Sequence, residues 1–338
     1  MSTEKVNGEG PRKLKILMLH EEVTFAAKII AANTSLSRLS SHFLHSPSTQ
    51  IDQDQSSKEC QSFFLIFFSG FTQSGPLFHA KTRALEKILT KAFPALPPAP
   101  HNRKASPGNL LSYPGGIQLI YPTAPIRLQP ADIPGFSASE QSESEKEDPD
   151  AWGWWKKDSS TGEYIGLDEG LETIRKAIEE VGGIDGVIGF SQGGAMAAML
   201  AALLEDGRES HFLPSSPLPY PPSYLSLRST LPQQPLRFAV SYSGFYAQPE
   251  LYKPFYEPKI KTRFLHVIGS LDSVVEEERS QGLVERCEEE VRTKVVHPGG
   301  HFVPVGREYA GVLVGWLRDV LSEKKVDEES VEDMDMPF

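Results

Sequence analysis

The chain has 338 residues, of which 39% are hydrophobic, and its formal net charge is −11. This length allows one large domain or two small ones with a substantial core. An acidic surface repels phosphate backbones, so we expect no nucleic-acid partner. The two cysteines, Cys60 and Cys287, are too few for a disulfide framework, and no Cys/His cluster has the spacing of a metal site such as zinc.

The amino-terminal residues MSTEKVNGEGPRK are polar and lack the apolar core of a signal peptide. No stretch approaches the roughly 18–20 apolar residues that are needed to span a bilayer. These features predict a soluble protein of the cytoplasm, with the nucleus as an additional location.

Short apolar runs alternate along the chain with amphipathic stretches. The runs predict strands, and the apolar residues of the longer stretches recur at helical spacing. The predicted strands are 14–20, 117–122, 185–190, 236–245, 262–270 and 292–297. The predicted helices are 79–93, 167–183, 193–205, 275–287 and 307–321. Alternating strands and helices require crossover connections, which predicts an α/β fold: a mostly parallel twisted sheet with helices on both faces.

Other stretches fall outside this alternation. We predict a flexible terminus over 1–13, a single domain over 14–321 and a charged, disordered tail over 322–338. Residues 206–235 are rich in proline and serine and are interpreted as a long loop within the domain.

A G-x-S-x-G pattern, Gly189-Phe190-Ser191-Gln192-Gly193, lies between a predicted strand and a predicted helix. In that context it predicts a sharp turn that exposes the serine hydroxyl at the carboxyl edge of the sheet. The backbone N–H of Gln192, at the helix start, would then donate to a developing oxyanion. The alternative is that Ser191 only caps the helix.

A serine hydroxyl is a poor nucleophile without a base, and in this architecture the order along the chain is serine, acid, histidine. Asp272 and His301 each come just after a predicted strand, in that order. We therefore predict that His301 takes the proton of Ser191 and that Asp272 orients the imidazole.

Other titratable residues compete for these roles. We expect His297, at a strand end, to be structural, and His266, inside an apolar strand, to be a core histidine. Asp185 precedes the strand that leads to Ser191, so it is expected at the wrong edge of the sheet.

Several motifs in combination resemble one family, the fungal family of serine hydrolases within the α/β-hydrolase superfamily. The motifs, which cover most of 14–321, are GFTQSGPLFHAKT, LIYPTAP, DAWGWWKKD, GEYIGLDEGLETI, GVIGFSQGGAMAAML, HVIGSLDSVV and HPGGHFVP. The chain is similar to the yeast family serine hydrolases, to the animal ovarian-cancer-gene-2 homologue and to fungal thioesterases that release polyketides from carrier proteins. The resemblance implies an α/β-hydrolase fold and a Ser191–Asp272–His301 esterase or thioesterase without a cofactor.

In the resembled family the first strand runs directly into His-Gly and an aromatic residue that supplies the second oxyanion donor. Here that strand ends at His20, and the pattern resumes at Gly70 and Phe71, whose N–H would be the donor. The intervening residues 21–69 match nothing in the family pattern and end in SFFLIFFSG, a run typical of pyrimidine-rich codons. We interpret the segment as a retained intron or a gene-model error; the alternative is a genuine insertion.

Aromatic residues near the carboxyl edge are candidates to line a substrate pocket. The candidates are Trp152, Trp154, Trp155, Phe190, Tyr242 and Phe302. For the three tryptophans, packing against the sheet edge is an equal alternative.

The expected substrate is a small-molecule ester or thioester that is cleaved through an acyl-serine intermediate. One alternative is a thioesterase that unloads acyl or polyketide chains from an acyl-carrier protein. The other is a catalytically impaired binding protein, in which the 21–69 segment has disrupted the oxyanion loop.

Overall fold

The computed structural model describes residues 11–20, 74–96, 113–129, 150–214, 216–230 and 233–322. Within these ranges the strands are β1 (Leu14–Leu19), β2 (Ile117–Ile120), β3 (Ile126–Arg127), β4 (Trp152–Gly153), β5 (Lys156–Lys157), β6 (Tyr164–Ile165), β7 (Gly186–Phe190), β8 (Phe238–Tyr242), β9 (Phe264–Gly269) and β10 (Arg292–His297). The helices are α1 (Gly75–Ala92), α2 (Leu167–Glu180), α3 (Gln192–Leu203), α4 (Pro222–Thr230), α5 (Glu277–Glu285) and α6 (Arg307–Leu321).

Six strands form one sheet in the order β10-β9-β8-β7-β1-β2, and every neighbouring pair is parallel. Two short antiparallel ribbons, β3-β4 and β5-β6, lie outside it. Helices α1 and α6 contribute to the core on one face, and α2 to α5 to the core on the other. The arrangement confirms the predicted α/β-hydrolase fold.

The burial of the central elements follows from their sequences. Alternate residues of β1 enter opposite cores: Ile16 and Met18 on one face, Leu17 and Leu19 on the other. All five residues of β7 and all twelve of α3 are buried, which explains why α3 is apolar around its whole circumference.

The structure differs from the predicted loop over 206–235. A short 3-10 helix, Arg208–His211, and the helix α4 lie within that range. Pro222 is the first residue of α4, where a backbone N–H would have no partner within the helix, so proline is tolerated there. Tyr224 and Leu227 of α4 are buried. The proline-rich composition therefore marks a helix start as well as connecting loops.

The predicted flexible terminus, insert and disordered tail fall mostly on the segments 1–10, 21–73 and 323–338, which lie outside the described residues. None of the helices in the described ranges is both long and apolar enough to cross a bilayer.

A buried carboxylate connects the end of α3 to the strand β9. Glu205 is 7% exposed, and its Oε1 accepts hydrogen bonds from the backbone N–H of Lys261 and of Thr262, at 2.6 and 2.8 Å, and from the Thr262 hydroxyl at 3.0 Å. Its Oε2 forms an ion pair with Arg208, which is 2% exposed. The guanidinium of Arg208 also donates to the carbonyl of Pro258. Each buried charge is thus matched by a partner, as burial requires.

Replacing this carboxylate should destabilise the protein strongly. Glu205→Gln leaves the Arg208 guanidinium buried without a counter-charge, so we expect the free energy of unfolding to fall by about 3 kcal/mol. Urea denaturation followed by circular dichroism measures the change. Glu179→Gln, which removes an exposed carboxylate paired with Arg175 on α2, is the matched control and should cost less than about 1 kcal/mol. Equal losses of unfolding free energy in the two variants would show that the buried contacts of Glu205 do not stabilise the protein more than an exposed ion pair does.

Candidate active site

The strand β7 and the helix α3 are joined through a single strained residue. Ser191 has φ 52° and ψ −112°, in a region that non-glycine residues rarely adopt, and it is 3% exposed. Its N–H donates to the carbonyl of Tyr242 at 2.8 Å, which ties the turn to the end of β8. Among the described residues its hydroxyl makes no capping hydrogen bond to the first turn of α3. The alternative that Ser191 is only a helix cap therefore finds no support.

The two glycines of the motif are required by close backbone contacts. A Cβ on Gly189 would lie 2.0 Å from the carbonyl oxygen of Gly193. A Cβ on Gly193 would lie 2.4 Å from the carbonyl oxygens of both Leu19 and His20. Side chains at these positions would prevent α3 from approaching the carboxyl ends of β7 and β1.

Asp272 and His301 meet after the neighbouring strands β9 and β10. His301 Nδ1 lies 2.7 Å from Asp272 Oδ2, and the two side chains are 5% and 1% exposed. The other carboxylate oxygen accepts the N–H groups of Val274 and Val275, both at 2.9 Å. The carboxylate is therefore held by hydrogen bonds on both oxygens.

The protonation of Asp272 reflects opposing effects. Burial raises the pKa of its carboxyl. The hydrogen bond and the charge of His301, with the N–H groups of Val275 and Val274, lower the pKa by more than burial raises it, so the net pKa lies below the usual value. Asp272 is thus an anion at neutral pH, as a partner of an imidazolium must be.

The pair lies at the same edge of the sheet as Ser191. Each of the three residues follows the carboxyl end of a parallel strand: β7 for Ser191, β9 for Asp272 and β10 for His301. The ring of Phe190, which precedes Ser191, lies 4.9 Å from the ring of His301. The structure thus brings the predicted nucleophile, acid and base to one edge, and their catalytic roles remain predictions.

The other histidines have structural surroundings. His266 is 2% exposed, stacks on Phe264 at 4.3 Å and has Nε2 3.5 Å from the Cys287 sulfur, so the prediction of a core histidine is confirmed. His297 is 2% exposed, and its Nδ1 accepts the N–H of Gly299 at 3.2 Å. At the opposite edge, Asp185 accepts the N–H of Lys15 at 2.9 Å, as expected for a residue that precedes β7.

The tryptophan segment is fastened to the serine turn by the side chain of Gln192. Its Oε1 accepts the N–H of Trp154 at 2.7 Å, and its Nε2 donates to the carbonyl of Trp155 at 3.0 Å. The Trp154 indole donates to the carbonyl of His20 at 2.9 Å. The sequence predicts a role, as an oxyanion donor, only for the backbone N–H of Gln192. The identity of its side chain, a glutamine with one donor and one acceptor beside Ser191, was the signal that could have shown this bridge.

The predicted pocket residues differ in exposure. Trp154 and Trp155 are 0% and 2% exposed in the core, which favours packing over a pocket wall, and Trp152 is half-buried. Phe190 and Tyr242 are also buried, whereas Phe302 is 43% exposed beside His301. Phe302 is therefore the predicted pocket residue that is most accessible to a substrate.

The two predicted oxyanion donors are in different situations. Gln192 begins α3, where backbone N–H groups lack helical partners and favour a negative charge. Phe71 lies outside the described residues. In the ranges that the structure does describe, no group of three or more His, Cys, Asp or Glu side chains is placed to hold a metal ion.

Residues 59–312 match the family model described as Serine hydrolase (FSH1). The chain belongs to this serine hydrolase family. The matched interval begins at residue 59, within the segment 21–69, and the interpretation of that segment as a retained intron or a gene-model error stays a prediction. The strand β1 precedes the matched interval.

Two curated relatives of this serine hydrolase cover most of its length. It is 30% identical to Family of serine hydrolases 2 of Saccharomyces cerevisiae over 259 residues, which are 76% of this chain and 98% of that protein. It is 28% identical to Esterase OVCA2 of Danio rerio over 265 residues, which are 75% of this chain and 96% of that protein. The crystal structure of Zea mays acyl-protein thioesterase 2 aligns with 94% of this chain and 97% of that chain, at a TM-score of 0.46 and 17% identity, and carries no conclusion about function.

A methyl group at position 193 should disrupt the serine turn. In Gly193→Ala the new Cβ meets two backbone oxygens that belong to the sheet and cannot move aside, so we expect a loss of about 3 kcal/mol or more in the free energy of unfolding. Gly315→Ala is the matched control: a Cβ there meets open space on α6, and the change should stabilise by about 0.5–1 kcal/mol. Thermal and urea denaturation measure both. A Gly193→Ala protein as stable as the unmodified one would contradict the close approach.

The core histidine should make stability depend on pH. Burial, with a smaller effect of Arg292, lowers the pKa of His266 to about 3, whereas the unfolded chain protonates near 6.5. Between these values the unfolded state binds a proton that the folded state does not, so stability is lost as the pH falls, by up to about 1.4 kcal/mol per unit. We expect His266→Gln to lack this loss in urea denaturation at pH 6, 5 and 4, with His211→Gln, an exposed histidine, as control. Parallel curves for the unmodified protein and His266→Gln would refute the assignment.

Proposed function

We propose that this serine hydrolase cleaves a carboxylic ester or thioester through an acyl-serine intermediate, with Ser191 as nucleophile, His301 as general base and acid, and Asp272 as the anion that orients His301. The observation that carries the proposal is the buried 2.7 Å pair of His301 Nδ1 and Asp272 Oδ2 at the same sheet edge as the strained Ser191. A serine in a helix cap or a histidine in a core would require no such pair.

The pair fixes the tautomer that the reaction needs. With its proton on Nδ1 and directed to Asp272, His301 presents Nε2 as the proton acceptor. The Ser191 proton passes to Nε2 as Oγ attacks the carbonyl carbon, and the N–H of Gln192 donates to the resulting oxyanion. Collapse breaks the bond to the alcohol or thiol, which leaves with the proton from the imidazolium. Water then repeats the sequence and releases the acid.

The turn geometry supports the same roles. The strain at Ser191, which typically costs about 1–3 kcal/mol, is a feature of residues held for function. The residue after it begins a fully buried helix, so its N–H is fixed by packing before any substrate binds. Such preorganised donors contribute more to ester cleavage than mobile ones do.

Removal of the nucleophile or of the acid should abolish turnover without unfolding the protein. We expect Ser191→Ala to lose labelling by a fluorophosphonate probe, and Asp272→Asn to lower kcat for p-nitrophenyl butyrate about 10⁴-fold, because the imidazole is then held in the wrong tautomer. Ser229→Ala, on the exposed side of α4, is the matched control and should be labelled normally.

Labelling distinguishes the alternatives. A folded unmodified protein that the probe does not label would contradict the proposal and favour an impaired binding protein. Labelling that persists in Ser191→Ala would assign the nucleophile elsewhere. Comparison of butyryl esters with butyryl thioesters, free and on an acyl-carrier protein, separates an esterase from a thioesterase that unloads a carrier.

A further inference from the structure

A cleft of about 290 Å³ lies among segments at the carboxyl edge of the sheet and has no role in the chemistry proposed above. None of the three predicted triad residues lines it within the described part of the chain. Its walls come from the β5-β6 ribbon, from the segment after β8 and from the first turn of α5. The lining residues are Lys157, Thr161, Gly162, Tyr164, Gln248, Pro249 and Arg279.

The cleft contains two cations, and neither makes an ion pair with a carboxylate among the described residues. Arg279 lies over the ring of Phe245, with Cζ 4.4 Å from the centroid, and its buried Nε has no hydrogen-bond partner in the described part of the chain. Lys157 extends along the ribbon past Gly162. In a chain of net charge −11, other arginines, such as Arg208 and Arg228, are paired with carboxylates.

Three acidic residues close to the lining residues in the sequence, Asp158, Glu277 and Glu250, have other partners. Asp158 Oδ1 accepts hydrogen bonds from the N–H and hydroxyl of Ser160 and from the N–H of Thr161, at 2.6–2.8 Å. Glu277, which precedes Arg279 on α5, lies 3.7 Å from Lys294, and Glu250 lies 3.7 Å from Lys253. None of these three carboxylates, all of them in the described ranges, forms an ion pair with Arg279 or Lys157.

Both walls of the cleft are attached to the serine turn. Tyr164 stacks on Trp155 at 4.4 Å, and the carbonyl of Trp155 accepts the side chain of Gln192 at 3.0 Å. On the other side, Phe245 follows the strand β8, whose Tyr242 carbonyl accepts the N–H of Ser191 at 2.8 Å. The cleft therefore lies at the same edge of the sheet as Ser191, which follows β7.

We infer that this cleft binds an anionic group of the substrate, a carboxylate or a phosphate, at the end remote from the bond that is cleaved; the inference rests on the function proposed above. The guanidinium of Arg279 offers a planar set of donors that fits either oxyanion, and Lys157 adds a second positive charge. A neutral ester leaves both cations unpaired, so the cleft selects for charged substrates.

Two matched substrate pairs test the selection. The carboxylate pair is p-nitrophenyl butyrate and the mono-p-nitrophenyl ester of glutarate; the phosphate pair is butyryl-pantetheine and butyryl-4′-phosphopantetheine. We expect kcat/KM to be at least tenfold higher for the charged member of at least one pair. Arg279→Gln and Lys157→Gln should each lower kcat/KM for that charged substrate at least tenfold and change kcat/KM for the neutral substrate less than twofold. The pair that responds identifies the anion as carboxylate or phosphate. Arg83→Gln, on the exposed side of α1, is the control and should leave both members unchanged.

A binding measurement separates this inference from the proposed chemistry. Calorimetry with the Ser191→Ala protein should detect glutarate or 4′-phosphopantetheine, and adding Arg279→Gln should weaken the affinity at least tenfold. Binding that is lost in this way, together with no ester cleavage by the unmodified protein, would sustain the cleft and overturn only the proposed hydrolysis. Equal losses for neutral and charged substrates, or no loss of binding in Arg279→Gln, would overturn the cleft.

Discussion

The close approach of α3 to the ends of β1 and β7 is the constraint on which the candidate active site depends. A Cβ on Gly193 would lie 2.4 Å from the carbonyl oxygens of Leu19 and His20, so glycine is required where the helix begins, one residue beyond the end of β7. That leaves Ser191 in a backbone conformation with a positive φ, at an estimated cost of about 1–3 kcal/mol. The helix that follows buries all twelve of its residues, and this burial is large enough to offset the strain. The position of the hydroxyl is therefore a consequence of core packing.

The same turn also organises the segment above it. Gln192 is the first residue of α3, and its side chain holds the backbone of Trp154 and Trp155 on both of its polar atoms. Trp154 in turn donates to His20, whose carbonyl is one of the two that Gly193 contacts. These contacts connect the start of α3, the tryptophan segment and the end of β1 next to Ser191. A substitution in the tryptophan segment would thus reach Ser191 through the helix start, although both indoles are buried away from solvent.

The sequence predicts well the helices that bury one apolar face and the strands that are apolar along their whole length. Continuous apolar runs such as β7 have few alternatives to a central parallel strand, and the order of Ser191, Asp272 and His301 follows from strand order. The helix α4 was missed because its buried face is short and its prolines suggested a loop. The bridge of Gln192 and the position of Arg279 over Phe245 were missed because they depend on contacts between residues far apart in the chain, for which a single sequence contains no periodic signal.

A second close approach positions Asp272 and His301. A Cβ on Gly269, the last residue of β9, would lie 2.5 and 2.6 Å from the carbonyl oxygens of Gly300 and Gly299, so the loop that carries His301 crosses directly over the end of β9. The N–H of Leu271 donates to the carbonyl of Gly299 at 3.0 Å and joins the loop of Asp272 to that of His301. Ser191, Asp272 and His301 are thus each fixed by glycine contacts to strand ends, and the strands between them are paired in register. The spacing across the site is then set by the sheet, which deforms far less than a loop does, and this rigidity suits a reaction that is sensitive to displacements of about 1 Å.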